Sequence, residues 1–139
     1  MKGIVVLMKS SALSPQDDAL TERIIGAAFR VHRALGPGLL EGLYQNALGV
    51  ELGKAGITYR REVTYQVSYL GVVLGESRLD LVVADKVVIE LKAIEALAQV
   101  HRAQLLTYLK TSGLPIGLLI NLGSEQVQVK RLLNTPKNQ

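Results

Sequence analysis

Three charged side chains interrupt apolar segments near the middle of this 139-residue chain. These two acids and one lysine are the residues of the sequence best suited to catalysis or metal binding. Glu90 and Lys92 stand two residues apart in the otherwise apolar run 87–93, and Asp80 interrupts a similar run ten residues earlier. Side chains alternate between the faces of a strand, at about 3.3 Å per residue, so Glu90 and Lys92 share one face. Burying such charges is costly unless they are paired. The pattern therefore predicts a polar site on a β-sheet.

Two carboxylates and a lysine at this spacing suit a divalent cation and a phosphate group. Mg²⁺ binds oxygen ligands, commonly one or two carboxylates together with water and substrate phosphate. A lysine beside it can orient the attacking water and offset the charge that develops on phosphorus. We expect Asp80 and Glu90 to bind Mg²⁺ or Mn²⁺ and Lys92 to be catalytic. A structural ion pair on an edge strand explains the same residues equally well.

The position of Asp80 depends on the register of one hairpin. Directly opposed residues of an antiparallel pair share a face, so Asp80 joins Glu90 only across a loop with an odd number of residues, such as 84–86. A two-residue turn at 85–86 would instead oppose Asp80 to Leu91 and place it on the other face. The metal site therefore requires the odd loop or a β-bulge.

A second group of polar residues follows on a predicted helix. His101, Gln104 and Tyr108 are spaced three and four residues apart, so they form one stripe. If this helix packs on the face that carries Glu90 and Lys92, the stripe flanks the site. Gln104 is the strongest functional candidate of the three, and His101 is a candidate substrate contact. A core role for Tyr108 and a surface role for His101 are the alternatives.

The elements that must position these residues follow from the hydrophobic periodicity. Apolar residues spaced three and four apart predict helices over 16–35, 40–52 and 97–112. Segments rich in β-branched residues predict three antiparallel strands over 57–70, 72–83 and 87–93, then closing strands over 114–122 and 127–133. The first two helices are separated at Pro37, because proline cannot continue a helix. Two helices therefore precede the sheet and a third crosses it.

The loop between the first two helices carries another polar set. Glu41 lies one turn before Tyr44 at the start of the second predicted helix, where an acid complements the helix dipole. His32 and Arg33 precede the loop and are candidate substrate contacts through phosphate. For all of these, a role at a helix end is the simpler interpretation from the residues alone.

Composition limits the class of protein. The length fits one domain, which we assign to residues 16–133, between a leader at 1–15 and a tail at 134–139. The leader is expected to be flexible, or an additional edge strand, or an upstream extension if Met8 is the natural start. The net charge of +4 permits a polyanionic partner, and no segment has membrane length. With no cysteine, a cytoplasmic location is expected.

Four motifs together resemble the GxxExxY protein family over about residues 18–133. They are GLLEGLY at 38–44, RLD at 78–80, ELK at 90–92 and QLLTYLK at 104–110. That family is similar to the PD-(D/E)XK nuclease superfamily. The resemblance implies an α/β fold of the restriction-endonuclease type, in which a mixed central sheet is flanked by helices with the core order α-β-β-β-α-β.

The resemblance also implies roles for single residues. Asp80 and Glu90 would be metal ligands, Lys92 the catalytic lysine, and Glu41 a further carboxylate that holds the metal or its water. Leu79 stands where the superfamily's name has proline, which removes no functional group.

Gln104 and Tyr108 resemble a Gln-x-x-x-Tyr motif that lies beside substrate or lysine in exonuclease-like branches of the superfamily. The implied function is a divalent-metal-dependent nuclease that hydrolyses phosphodiester bonds of nucleic acid, DNA in preference to RNA, with water activated by the metal. A non-catalytic nuclease-fold module for binding or assembly is the alternative, and a structural oligomer subunit is a third interpretation. A homodimer is compatible with so small a chain.

Overall fold

The computed structural model describes residues 3–7 and 13–134, in which three helices and six strands are formed. The helices are α1 (Pro15–Leu35), α2 (Glu41–Lys54) and α3 (Gln99–Ser112). The strands are β1 (Gly3–Leu7), β2 (Tyr59–Tyr69), β3 (Val72–Val83), β4 (Val87–Lys92), β5 (Ile116–Asn121) and β6 (Val127–Leu133). Every predicted helix and strand is present, with ends that coincide with the prediction or are shifted by one or two residues.

The strands form one mixed sheet in the order β1-β6-β5-β4-β3-β2. The pairs β2–β3, β3–β4 and β5–β6 are antiparallel, whereas β4–β5 and β1–β6 are parallel. A parallel pair needs a crossover, and α3 supplies it between β4 and β5. The predicted α/β class is confirmed: a mixed sheet flanked by helices, with the restriction-endonuclease-like order α-β-β-β-α-β.

Helices cover both faces of the sheet. On one face, α1 and α2 pack on residues such as Leu81 and Ile89, and on the other, α3 packs on residues such as Val82 and Val88. A strand buried on both faces is apolar at nearly every position, which explains the continuous apolar runs of β4 and β5. The polar residues of these two strands are therefore exceptions that require partners. None of the helices within residues 3–7 and 13–134 combines the length and the apolar character needed to cross a membrane.

The ends of the chain are described in part. Residues 3–7 of the predicted leader form the edge strand β1, parallel to β6. Helix α1 then begins at Pro15, and the hydroxyl of Ser14 caps it by accepting a hydrogen bond from the Asp17 N–H at 3.0 Å. The remainder of the leader up to residue 12, and residues 135–139 of the predicted tail, lie outside the described residues.

Tyr44 fixes the loop between α1 and α2. Its side chain is fully buried, and its hydroxyl donates to the Gly36 carbonyl at 2.5 Å and accepts from the Leu39 N–H at 3.2 Å. Gly36 and Gly38 have φ of 71° and 103°, where glycine is favoured over other residues. The loop is thereby held in the conformation that starts α2 at Glu41.

Tyr44→Phe is expected to lower the free energy of unfolding by about 1–3 kcal/mol, because it leaves the Gly36 carbonyl and the Leu39 N–H without this partner. Urea unfolding of the purified variant measures the change. Tyr69→Phe is the matched control, since Tyr69 is 65% exposed and its hydroxyl can bond to water. A loss for Tyr44→Phe no larger than for the control would show that the hydroxyl does not hold the loop.

Candidate active site

The register of the β3–β4 hairpin places the two predicted metal ligands side by side. Val83 pairs with Val87 across the three-residue loop 84–86, and the same register holds for the next two pairs. The odd loop that the prediction required is therefore confirmed. Continued by one more residue, the register sets Asp80 opposite Glu90.

At this point each carboxylate binds the main chain of the neighbouring strand. Asp80 Oδ2 accepts a hydrogen bond from the Leu91 N–H at 3.2 Å, and the Asp80 N–H donates to the Glu90 carboxylate. The regular pairing of β3 with β4 ends one step earlier, at Leu81 and Ile89. Where β3 and β4 separate, hydrogen bonds to these carboxylates thus take the place of main-chain hydrogen bonds between the two strands.

The chain is also irregular on the other side of Asp80. Leu79 and Leu81 are two residues apart and should share a face, yet Leu79 packs on the α3 side and Leu81 on the α1–α2 side. In β2, Glu62 has a φ of 51° and is left out of the pairing with β3, whereas its neighbours are paired. Strand β3 therefore rotates at Asp80, which directs this carboxylate towards the open end of the hairpin.

Glu90 is the most perturbed group of the site. Only 5% of its surface is exposed, and burial raises its pKa from 4.5 to about 8. The charges of Asp80 and Glu41 act in the same direction, while Lys92 and the Asp80 N–H oppose them. Its Oε1 atom is buried and has no hydrogen-bond partner among the described residues. An acceptor of this kind is stabilised by a cation.

Glu41 reaches the site from the first turn of α2. Its carboxyl group forms a hydrogen bond with the Asp80 carboxyl group, which requires a proton on one of them. The bond raises the pKa of Glu41 and opposes the rise of the pKa of Asp80. Burial is the largest cause of the raised pKa of both groups. The Leu91 N–H and Lys92 partly offset it at Asp80.

Lys92 and Tyr108 complete the group. The charge of Lys92 lowers the pKa of Glu41, Asp80 and Glu90, so the lysine is a common neighbour of all three carboxyl groups. Burial raises the pKa of the Tyr108 phenol, and the charges of Glu90 and Asp80 raise it further. Tyr108 therefore lies near the carboxylates on α3, the helix that packs on the same face of the sheet as Val88.

The other two residues of the predicted stripe on α3 are placed differently. Gln104 lies on the exposed side of the helix, and within residues 13–134 no hydrogen bond connects it to the carboxylates. His101 Nδ1 accepts a hydrogen bond from the Ala98 N–H at 2.9 Å and so caps the start of α3. The described contacts thus give His101 a structural role.

His32 and Arg33 lie at the end of α1. His32 Nε2 lies 2.9 Å from the Ser124 carbonyl oxygen, in the turn between β5 and β6. Arg33 is exposed. Because β4 and β5 are parallel, this turn lies at the same end of the sheet as Lys92. Both residues therefore lie at the end of the molecule where the site opens.

Sequence reasoning missed Asn121, which is fully buried at the end of β5, in register with Lys92. Its amide accepts from the Ile94 N–H at 3.1 Å and donates to the Ile94 carbonyl at 2.9 Å. It also donates to Gln128 Oε1 at 3.0 Å, which accepts from the Leu97 N–H. Asn121 therefore fixes the segment that leads from Lys92 to α3. An amide at the end of a wholly apolar strand is the signal that could have revealed it.

The donor set fits a hard divalent cation in its chemistry. Asp80 and Glu90 offer only oxygen atoms, and Glu90 Oε1 lacks a partner among the described residues. Mg²⁺ is commonly held by one or two carboxylates, with water and phosphate oxygens completing the shell. In the part of the chain that the structure describes, no three acidic or histidine side chains are arranged to hold an ion by themselves. Two protein ligands are therefore the arrangement that fits best.

A family model described as the PD-(D/E)XK nuclease superfamily matches residues 18–132, which is most of the chain. The fold and the Asp80, Glu90 and Lys92 arrangement agree with that class. The chain belongs to the PD-(D/E)XK nuclease superfamily. No curated protein and no solved structure gives a significant match.

Proposed function

We propose that this protein is a nuclease that hydrolyses phosphodiester bonds of nucleic acid with the aid of Mg²⁺ or Mn²⁺. The observation that carries the proposal is that three carboxyl groups, each with a pKa raised by burial, lie near one another and near Lys92 at the point where β3 and β4 separate. A purely structural ion pair needs one acid for Lys92, whereas Glu41, Asp80 and Glu90 repel each other and each has a raised pKa. Such perturbed groups concentrate at functional sites.

Each side chain has a role in this proposal. Asp80 and Glu90 would hold the cation, which when bound supplies positive charge to the phosphate and makes water a better nucleophile. Lys92 would orient the attacking water and offset the charge on the phosphate oxygens. Glu41, whose pKa is raised by burial and by the charge of Asp80, would hold or release a proton beside the reacting water, or serve as a further ligand.

The surrounding residues would contact the substrate. Tyr108 faces the carboxylates and would restrict the position of the phosphate, and Gln104 on the exposed side of α3 would meet the nucleic acid outside the carboxylate group. We propose His32 and Arg33 as further substrate contacts, since both lie at the end of the sheet where the site opens. His101 would be a third contact, in addition to its hydrogen bond with the Ala98 N–H at the start of α3.

Several finer features belong to the same proposal. We propose DNA as the preferred substrate over RNA, membership of the GxxExxY family within the superfamily, a cytoplasmic location and a homodimeric state. Residues 16–133 would form the nuclease-like domain, between the leader and the tail. The lack of cysteine supports the location, because such a chain does not depend on an oxidising compartment.

A non-catalytic binding or assembly module is the second candidate. Two observations favour it: no three acidic or histidine side chains of the described residues are arranged to hold an ion by themselves, and several arginines are already paired. Arg30 pairs with Glu51 at 2.6 Å and Arg60 with Asp85 at 2.9 Å, so neither is available to phosphate without losing its partner. Such a module would bind nucleic acid or protein without turnover.

The test is a nuclease assay on single- and double-stranded DNA and RNA, with Mg²⁺, Mn²⁺ or a chelator. We expect cleavage only with a cation, and a loss of at least about 10²-fold in rate for Glu90→Ala and for Lys92→Ala. Glu125→Ala, an exposed acid in the β5–β6 turn, is the matched control and should cleave at the wild-type rate. Equal rates in wild type and both site variants would refute catalysis, and binding without cleavage would favour the second candidate.

A further inference from the structure

Strand β2 forms an open edge of the sheet. Among residues 3–7 and 13–134 it pairs only with β3, so its outer row of main-chain N–H and C=O groups has no strand partner there and can accept another strand. Near the start of β2, the consecutive charged residues Arg60, Arg61 and Glu62 protect the edge against pairing with another strand. From Val63 to Tyr69 the edge carries no charge at all. Charged side chains and irregular backbone normally prevent edge pairing. Residues 63–69, the outer half of this edge, lack that protection.

The outer half is also regular. The register shift in the β2–β3 hairpin pairs Val67 with Gly75 and Ser68 with Val73, so the extra residue, Leu74, belongs to β3. Strand β2 itself stays extended through this region. An extended and uncharged edge of seven residues can accept a strand along its whole length.

We propose that a second copy of this chain pairs with the outer half of β2, antiparallel, about a twofold axis at Gln66. The sequence VTYQVSY at 63–69 is complementary to itself in this arrangement. The axis opposes Val63 to Tyr69, Thr64 to Ser68, and Tyr65 to Val67. Aromatic side chains opposite β-branched ones, and hydroxyl groups opposite each other, are favourable cross-strand pairs. A closed twofold contact uses the same surface in both copies.

The two faces of β2 agree with this register. Val63, Tyr65 and Val67 are half-buried, whereas the residues between them are exposed. Val63 and Tyr65 pack against the apolar cluster beneath α3, while Tyr69 projects beyond it and is 65% exposed. The twofold axis would bring Tyr69 of each copy to Val63 of the other, beside that cluster. The exposed ring would then be covered.

The tip of the β2–β3 hairpin, residues 69–74, is apolar as well. Its large apolar side chains are between 54% and 84% exposed, and they are Tyr69, Leu70, Val72, Val73 and Leu74. Contiguous exposed apolar surface of this kind marks an interaction site. No charged residue occurs between positions 63 and 75, which argues against a polyanion and favours an apolar partner.

Charge placed on the edge tests the interface without touching the core. Thr64 and Ser68 are both exposed and would face each other across the axis. The double variant Thr64→Lys, Ser68→Lys opposes like charges twice and should raise the dimer dissociation constant by at least about 100-fold in sedimentation equilibrium. Thr64→Lys, Ser68→Glu opposes unlike charges twice and should dimerise as well as wild type. Equal behaviour of the two variants, or a wild type that is monomeric at micromolar concentration, would overturn the proposal.

A cross-link tests the register. The chain has no cysteine, so a single introduced thiol can pair only with its own copy. Residues directly opposed in an antiparallel pair have Cα atoms about 4.5–5.5 Å apart, a separation that a disulfide can bridge. Gln66→Cys should therefore form a disulfide dimer on mild oxidation, whereas Ser68→Cys, which would face Thr64, should not. Equal cross-linking of the two variants would overturn the register. The interface is independent of the proposed chemistry, so a failed nuclease assay would leave it standing.

Discussion

Replacing Glu90 with Gln is expected to raise the free energy of unfolding of the cation-free protein by a few kcal/mol at pH 8. The same change should abolish stabilisation by Mg²⁺ or Mn²⁺. Glu90 is 5% exposed and lies beside Asp80 and Glu41, so its ionised form is disfavoured in the folded chain. An amide has the same shape, carries no charge and still accepts the hydrogen bond from the Asp80 N–H.

The direction of the pH dependence follows from the raised pKa. Below about pH 4.5, Glu90 is protonated in both the folded and the unfolded chain and costs nothing. Between that pH and its folded pKa of about 8, only the unfolded chain is ionised, so wild-type stability falls as the pH rises. Above the folded pKa of Glu90, the loss of wild-type stability is complete. The difference between Glu90→Gln and wild type should thus be small near pH 4.5 and largest above pH 8.

Urea unfolding from pH 5 to 9 in a chelator measures the stability difference, and thermal unfolding with added Mn²⁺ measures the cation effect. A cation that binds only the folded chain stabilises it. Wild type should gain most at high pH, where Glu90 is ionised, and Glu90→Gln should gain little. Glu125→Gln, which changes an exposed acid, should behave as wild type in both measurements. A Glu90→Gln protein that is less stable than wild type at pH 8 would contradict the prediction.

Gly123→Ala is expected to lower the free energy of unfolding by about 3 kcal/mol or more, because the added methyl group has no space. A Cβ atom at Gly123 would lie 2.3 Å from the Ala93 carbonyl carbon and 2.3 Å from the Ile94 nitrogen. These are main-chain atoms, so no flexible side chain can move aside. The segment directly after Lys92 would have to shift, and nuclease activity should fall as well.

Gly53→Ala is the matched control for this change. Gly53 lies in α2, and no atom lies within 4 Å of a Cβ built there. Alanine is favoured over glycine in a helix, so this variant should gain about 0.5–1 kcal/mol. Urea unfolding of Gly123→Ala and Gly53→Ala measures the two changes in the free energy of unfolding. Similar stability changes for the two would show that the close contact of the β5–β6 turn with the Lys92 segment is unimportant.

Much of the fold could be predicted from the sequence because each element has a clear local signal. The spacing of apolar residues in α1 and the continuous apolar run of β4 reflect which faces are covered. The observed ends of the elements differ slightly from the predicted ones where a capping residue sets them, as Ser14 does for α1. The resemblance to nucleases added the arrangement of these elements as a mixed sheet flanked by helices, which periodicity alone does not provide.

The site was predicted in part. Asp80, Glu90 and Lys92 were found because a charge within an apolar strand needs an explanation, and the odd loop 84–86 could be stated as a requirement. The alternation of side chains along a strand does not show that β3 rotates at Asp80. Glu41 could equally have been a helix cap, and only its hydrogen bond to Asp80 distinguishes the two.

By itself, the sequence determined which groups are too polar for the strands that carry them, because that depends on neighbours two or three residues away. Only the tertiary structure decided what those groups contact, since contact depends on residues far apart along the chain. The Glu41–Asp80 bond joins α2 to β3, and the amide of Asn121 joins β5 to the segment after Lys92. The pKa of Glu90 depends on its burial in the folded chain, which no local pattern contains.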